Sequence, residues 1–180
     1  MSNATKIVAA SGGRFADRAI DRIIAGEMFH CSTLDTSLAN DAAMDMVMVV
    51  PAPGLDNLYT HMSVYAACGG DADFYFYEGC VYSGGTPKAT PNHKRYSDKV
   101  WRGTMLDGPT ISSTGIELLA QFLPGGSGGN AIGGDGGFDM EWGLKPSTNY
   151  LLRIVNRSGQ AQRASIGCSH YEAERIPDRS

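Results

Sequence analysis

Leu58-Tyr59-Thr60-His61-Met62-Ser63-Val64-Tyr65-Ala66 and, after a short gap, Asp73-Phe74-Tyr75-Phe76-Tyr77-Glu78 are the stretches on which the fold turns. Successive side chains of a strand point to opposite faces. Leu58, Thr60, Met62, Val64 and Ala66 therefore share one face, and Tyr59, His61, Ser63 and Tyr65 the other. In the aromatic stretch Phe74 and Phe76 oppose Tyr75 and Tyr77, and the pattern alone leaves open which pair faces inward. Working outward, residues 44–50 form a nearly unbroken apolar run ended by Pro51, as expected of a strand covered on both faces. Further strands read at 27–34, 116–123, 140–144, 150–156 and 164–171. Turn signals separate them: Pro53-Gly54, Gly69-Gly70, Ser83-Gly84-Gly85, Asp107-Gly108-Pro109, Lys145-Pro146 and Ser158-Gly159. About eight short strands divided by turns describe an all-β domain over residues 27–180, a β-sandwich or jelly roll.

One segment breaks this period. Phe15, Ala16, Ala19, Ile20, Ile23 and Ile24 recur at three-to-four spacing, with Arg14, Arg18, Asp21 and Arg22 mostly on the other side. This predicts a helix over 13–26, stopped by Gly26, within an N-terminal arm of residues 1–26. So short a helix is marginal alone and must dock on its own β domain or on another chain. A second irregular element is the loop 125–137, Gly-Gly-Ser-Gly-Gly-Asn-Ala-Ile-Gly-Gly-Asp-Gly-Gly, with eight of the 23 glycines. It is expected to be a flexible connection that lets backbone approach backbone when ordered against a partner.

Composition narrows the class. Of the 180 residues 42% are apolar and 19% charged, enough for a core and too apolar for disorder. Glycine has no G-X-Y period, which excludes collagen. No apolar run approaches the roughly 20 residues of a spanning helix, so no membrane partner is expected. Residues 1–10 lack the charged region and long apolar stretch of a secretory signal. Cys31, Cys68, Cys80 and Cys168 never form a C-x-x-C pair, which argues against a zinc ribbon or thioredoxin-type site.

The net charge of −4 conceals an uneven distribution. Residues 23–87 contain no lysine or arginine but eight acids, and then Lys88, Lys94, Arg95, Lys99 and Arg102 follow, opposed only by Asp98. Such blocks suit electrostatic matching between neighbouring subunits. Equally, the fold can interleave them into a mixed surface.

Catalytic and cofactor motifs fail on context. Gly126-Ser127-Gly128-Gly129-Asn130-Ala131 fits G-x-G-x-x-A in letters, but more glycine follows where a dinucleotide site needs a helix. No P-loop occurs, and the Gly133–Asp139 segment departs from a calcium-binding β-roll repeat. Ser127 between glycines lacks the strand-to-helix turn of a hydrolase elbow. Glu117 with Asp139 or Glu141 has no spacing rule to make a glycosidase pair, and His30, His61, His93 and His170 show no ligand spacing. No catalytic residue, metal or cofactor is therefore expected. Tyr96 and Trp101 among the bases of 88–102 are the one nucleic-acid candidate, opposed by the chain's acidic balance.

The order of features is similar to that of the bacteriophage jelly-roll capsid decoration, or cement, proteins. The residues that carry the resemblance are Tyr77-Glu78-Gly79, Gly84-Gly85-Thr86, Pro91-Asn92-His93-Lys94-Arg95-Tyr96-Ser97, the stretch 142–156 that follows Glu141, and the closing His170-Tyr171-Glu172. Together they cover residues 27–172, and 142–156 is the most specific part.

The resemblance implies a non-enzymatic virion protein on the capsid exterior, assembled in the host cytoplasm. It would bridge subunits of the major capsid protein and pair with itself as a homodimer or homotrimer. On that reading Phe15, Ile20, Ile23 and Ile24 are candidate arm anchors, and Lys94, Arg95 and Arg102 candidate charge contacts. The alternatives are a fibre or spike adaptor of the virion and a carbohydrate-binding jelly roll, the latter using Tyr59, Tyr65, Tyr75 and Tyr77 with Trp101 and Trp142. Cys68 and Cys80 flank the aromatic strand and could approach each other; assembly in a reducing cytoplasm makes free buried thiols the default.

Overall fold

The computed structural model describes residues 15–53, 58–125 and 135–174. Helix α1 (Phe15–Ala25) is followed by twelve strands: β1 (Met28–Leu38), β2 (Ala43–Val49), β3 (Leu58–Cys68), β4 (Ala72–Glu78), β5 (Val81–Ser83), β6 (Thr86–Lys88), β7 (Thr104–Asp107), β8 (Thr110–Ser113), β9 (Ile116–Leu123), β10 (Asp135–Gly143), β11 (Asn149–Asn156) and β12 (Gln162–Glu174). The protein is thus mostly β. One antiparallel sheet runs β1-β12-β3-β10, a second runs β6-β7-β2-β11-β4-β9, and β5 pairs with β8. Among the described residues no helix is long and apolar enough to cross a membrane.

The period-two pattern decides which faces meet. Met62, Val64 and Ala66 of β3 and Ile166 and Cys168 of β12 share one core with Met46 and Met48 of β2, Phe74 and Phe76 of β4, and Leu152 and Ile154 of β11. The phenylalanines of the aromatic strand face inward. Phe76 lies between Tyr150, stacked at 5.6 Å, and the edge of Trp142 at 5.5 Å.

The run 44–50 is covered on both sides, as its unbroken apolar character predicts. Met46 and Met48 face the core, whereas Val47 joins Leu151, Leu106 and Cys80 in a second cluster on the other side. Tyr82 and Ile111, from the β5–β8 pair, pack against that cluster. Of the excursion between β4 and β9, the β5–β8 pair therefore roofs the outer face of the larger sheet, and β6 and β7 extend that sheet's edge.

The four short strands of that excursion escape the sequence reading. Three or four residues rich in Ser, Thr, Gly and Pro carry too little alternation to be told from turns. Strand β10 also begins five residues before the expected 140, pairing Asp135, Gly136 and Gly137 with Ala67, Ala66 and Tyr65. The end of the expected loop 125–137 is thus a strand, drawn in by the ladder of β3; residues 126–134 lie outside the described residues. The four cysteines are free and buried. Cys80 and Cys68 belong to the two different clusters, so they do not meet.

Candidate interaction surface

Helix α1 ends as Gly26 predicts. Gly26 takes φ +71°, its N–H bonds the Ile23 carbonyl at 3.0 Å, and the Glu27 N–H bonds the Arg22 carbonyl at 2.9 Å. This is a Schellman termination, in which a left-handed residue closes the last turn. The helix end is fixed to the β domain by Ile23, which packs on Met28, Tyr171 and Ala173. Arg22 lies 5.2 Å from the Tyr171 ring centre. Beneath it, Tyr171 donates to Glu141, whose Oε1 is 2.8 Å from His61 Nδ1, and the His61 ring stacks on Tyr171 at 5.0 Å.

The basic segment meets the same helix end. Its first part lies along the edge of β1: His30 N–H bonds the Pro91 carbonyl at 3.1 Å and His93 N–H bonds the Met28 carbonyl at 2.9 Å. Buried Asn92 pins the turn by donating to the Gly26 carbonyl at 2.7 Å and accepting from Lys94 N–H at 2.9 Å. Lys94 Nζ donates to the Ile24 carbonyl at 2.9 Å, where the helix dipole favours a cation, and lies 5.1 Å from the Tyr96 ring centre. Glu27 accepts from Arg22 at 2.7 Å and Lys99 at 3.0 Å. Burial alone would raise the Glu27 pKa, but those two bonds outweigh it and hold the carboxyl below its ordinary value.

The candidate contact residues therefore separate. Ile20 and Ile24 are 54% and 65% exposed on the helix, while Tyr96 and Val100 are 85% and 80% exposed on the basic segment. Lys94 joins Ile24 to Tyr96, and Arg95 is exposed beside it. Ile23 faces its own domain instead. Arg102 pairs with Glu172 at 2.7 Å. The side chain of Phe15 lies outside the described residues.

Most of the uneven charge is interleaved by the fold. Lys88 pairs with Asp107, Lys99 with Glu27 and Arg102 with Glu172, while Arg153, Arg157 and Lys145 serve Asp45, Asp41, Asp73 and Glu78 of the acidic stretch. Antiparallel pairing explains this, because it sets the late strands beside the early ones.

The aromatic residues also need correction. Trp101 is 6% exposed and packs edge-on against His170 at 4.4 Å, so it offers no stacking surface to a base or a sugar. Trp142 contributes to the core. Tyr65 and Tyr59 lie on the outer side of the smaller sheet and Tyr75 and Tyr77 on the outer side of the larger one, so they form no single patch. Tyr65 lies across Gly167, and its hydroxyl is 3.0 Å from His30 Nε2. A Cβ at Gly167 would meet that hydroxyl and stand 2.7 Å from the Cys31 carbonyl. Gly167→Ala is therefore expected to displace Tyr65 and cost about 2 kcal/mol, read as a lower urea midpoint.

Asn92 and Val100 were not legible as surface determinants. The Pro-Asn pair ahead of the bases marks the turn that Asn92 pins, whereas a lone valine among charges carries no signal. Among the described residues no group of three or more His, Cys, Asp or Glu side chains is arranged to hold a metal ion. An open groove of about 680 Å³ runs between Asp35, Asp45 and Asp107, but Asp45 and Asp107 are already paired with Arg153 and Lys88. No protein-family model matches the chain, and a search of the curated proteins finds no match.

Proposed function

We propose that the chain is a jelly-roll decoration protein of a bacteriophage virion, a non-enzymatic staple that binds the capsid exterior and bridges major capsid protein subunits. The observation that carries the contact reading is the meeting of exposed Ile24 and Tyr96 through Lys94, with Arg95 exposed in the same turn, where the helix end joins the smaller sheet. Exposed apolar side chains rimmed by cations mark association sites, and the cations steer the docking of an acidic partner. On this reading residues 1–26 are an arm whose root is anchored by Ile23 and whose exposed isoleucines face the shell.

Strand order supports the jelly-roll part. Setting aside β5–β8 and renumbering the remaining strands one to eight, the sheets run 1-8-3-6 and 2-7-4-5. That is the order of a double-sheet jelly roll, an architecture of viral capsid and lectin domains. Fold alone does not define function, so the capsid role rests on the surface and on the resemblance of residues 27–172. Weak contacts repeated over a lattice supply avidity, and a homodimer or homotrimer would multiply it.

The test is co-sedimentation with capsids assembled without the protein. Stoichiometric binding in hundreds of copies is expected, and Ile24→Asp with Arg95→Glu should weaken it at least about tenfold. Both side chains are exposed, so the circular dichroism of the variant should match the parent. Unchanged binding by that variant would remove the surface from the proposal. Failure of the parent to sediment, with specific binding on a glycan array, would instead favour a carbohydrate-binding module. A dozen copies would favour a fibre or spike adaptor. The carbohydrate reading keeps one observation in its favour: half-buried Tyr75 on the same outer face as Phe122, 57% exposed.

A further inference from the structure

Cys31 and Cys168 face each other across the β1–β12 ladder as register partners. Both belong to the core between the sheets, 1% and 0% exposed. Directly opposed residues of an antiparallel pair have Cα atoms about 4.5–5.5 Å apart, inside the roughly 4.4–6.8 Å that a disulfide spans. The other two thiols are out of reach. Cys68 lies opposite Ala164, four residues along β12 from Cys168 and so about 13 Å away. Cys80 sits in the separate cluster on the outer side of the larger sheet.

We propose that Cys31 and Cys168 are a cross-linking site, which oxidation by a small-molecule disulfide converts to a bond joining the first β-strand to the last. One protein thiolate attacks the glutathione disulfide, breaks its S–S bond and releases one glutathione thiol. The second protein thiolate then breaks the mixed disulfide and releases the other. Two cysteines are oxidised, one glutathione disulfide is reduced to two thiols, and the protein's two thiol protons end on glutathione.

Burial sets the rate. It pushes the Cys31 pKa up to about 11 and that of Cys168 up as well, so the closed core holds thiols rather than thiolates. Oxidation therefore requires the β1 edge to open, and that edge is paired on its free side at Phe29 with Asn92. A reducing cytoplasm would keep the pair reduced and an oxidising medium would close it. The bond lies between the ends of the β domain and encloses strands of both sheets, the long-loop case in which a cross-link restricts the unfolded chain most. The cross-link itself does not depend on the capsid reading.

The experiment treats purified full-length protein with a glutathione redox buffer just below its thermal midpoint, where opening is frequent. The expected product is lighter by two hydrogens, maps to a Cys31–Cys168 peptide pair and melts about 5–10 °C higher, reverting with dithiothreitol. Cys68→Ala with Cys80→Ala should leave this product intact, and Cys31→Ala or Cys168→Ala should abolish it. A mass that stays at the reduced value, a persistent glutathione adduct or a bond mapping to Cys68 or Cys80 would overturn the assignment. None of these readouts uses a capsid, so they are separate from the test of the proposed function.

Discussion

Lowering the pH from 6.5 to 4.5 is expected to remove about 2 kcal/mol of folding stability through His170. The side chain is fully buried, with Trp101 edge-on at 4.4 Å, Phe29 stacked at 5.9 Å and Cys168 Sγ 3.7 Å from Nδ1. Among the described residues its Nε2 has no hydrogen-bond partner. Desolvation first, then the nearby His30 and His93, push its pKa down to about 3 from an ordinary 6.5. The unfolded chain therefore binds a proton below pH 6.5 that the folded chain refuses until about pH 3. Stability is fully present above the unfolded pKa and falls as pH drops through this window. His30 and His93 are also shifted down by burial and act with the same sign. The carboxyls of Glu27 and Glu78 are held below their ordinary 4.5, so their contribution is lost mainly at lower pH. Urea unfolding at a series of pH values measures the slope. His170→Phe and His170→Leu should each flatten it, whatever their stability at neutral pH. An unchanged slope in both variants would show that His170 is not the titrating group.

Asn156→Leu is expected to cost about 3 kcal/mol, despite keeping a branched side chain of the same length in a buried position. Asn156 Nδ2 donates to the Leu38 carbonyl at 2.8 Å and the Gln160 carbonyl at 2.7 Å, while its Oδ1 accepts from Ser158 N–H at 3.0 Å. Its backbone joins in, with N–H bonding the Ala42 carbonyl at 3.1 Å and its carbonyl accepting from Asp41 at 2.8 Å. One residue thus closes the β1–β2 connection onto the β11–β12 turn. Leucine at this fully buried position removes the bonds to the Leu38 carbonyl and the Ser158 N–H, while the Gln160 carbonyl keeps Ser158 Oγ at 2.9 Å. Asn156→Asp should be at least as damaging, because a carboxylate cannot donate to the two carbonyls. A urea-derived loss below about 1 kcal/mol for both variants would mean that water replaces these bonds.

Asn156 also shows where reading the chain stops. It closes the most specific stretch of the resemblance, yet nothing local marks it as a hub, because its partners lie in the β1–β2 connection and in the turn after β11. His170 is similar. It occupies an alternating position of β12, which predicts a face but not that Trp101 arrives from the basic segment to seal it.

What the order of residues settles is what depends on near neighbours. Alternation in 58–66 and 73–78 places Met62, Val64, Phe74 and Phe76 on one face of their strands, and the unbroken run 44–50 requires cover on both sides. Turn residues stand where the chain reverses, and Gly26 ends the helix because a left-handed residue is needed there. Pairing across the sheets settles the rest. Cys31 meets Cys168 only because β1 and β12 are neighbours, and most of the acidic stretch acquires counter-ions because β11 lies between β2 and β4 and the basic segment crosses the helix end. The same crossing buries Trp101 and leaves Ile20, Ile24, Tyr96 and Val100 outside. Local pattern carries facing and turns because both follow from backbone geometry over a few residues. Partner identity comes from strand order, a long-range choice made by burying the shared core.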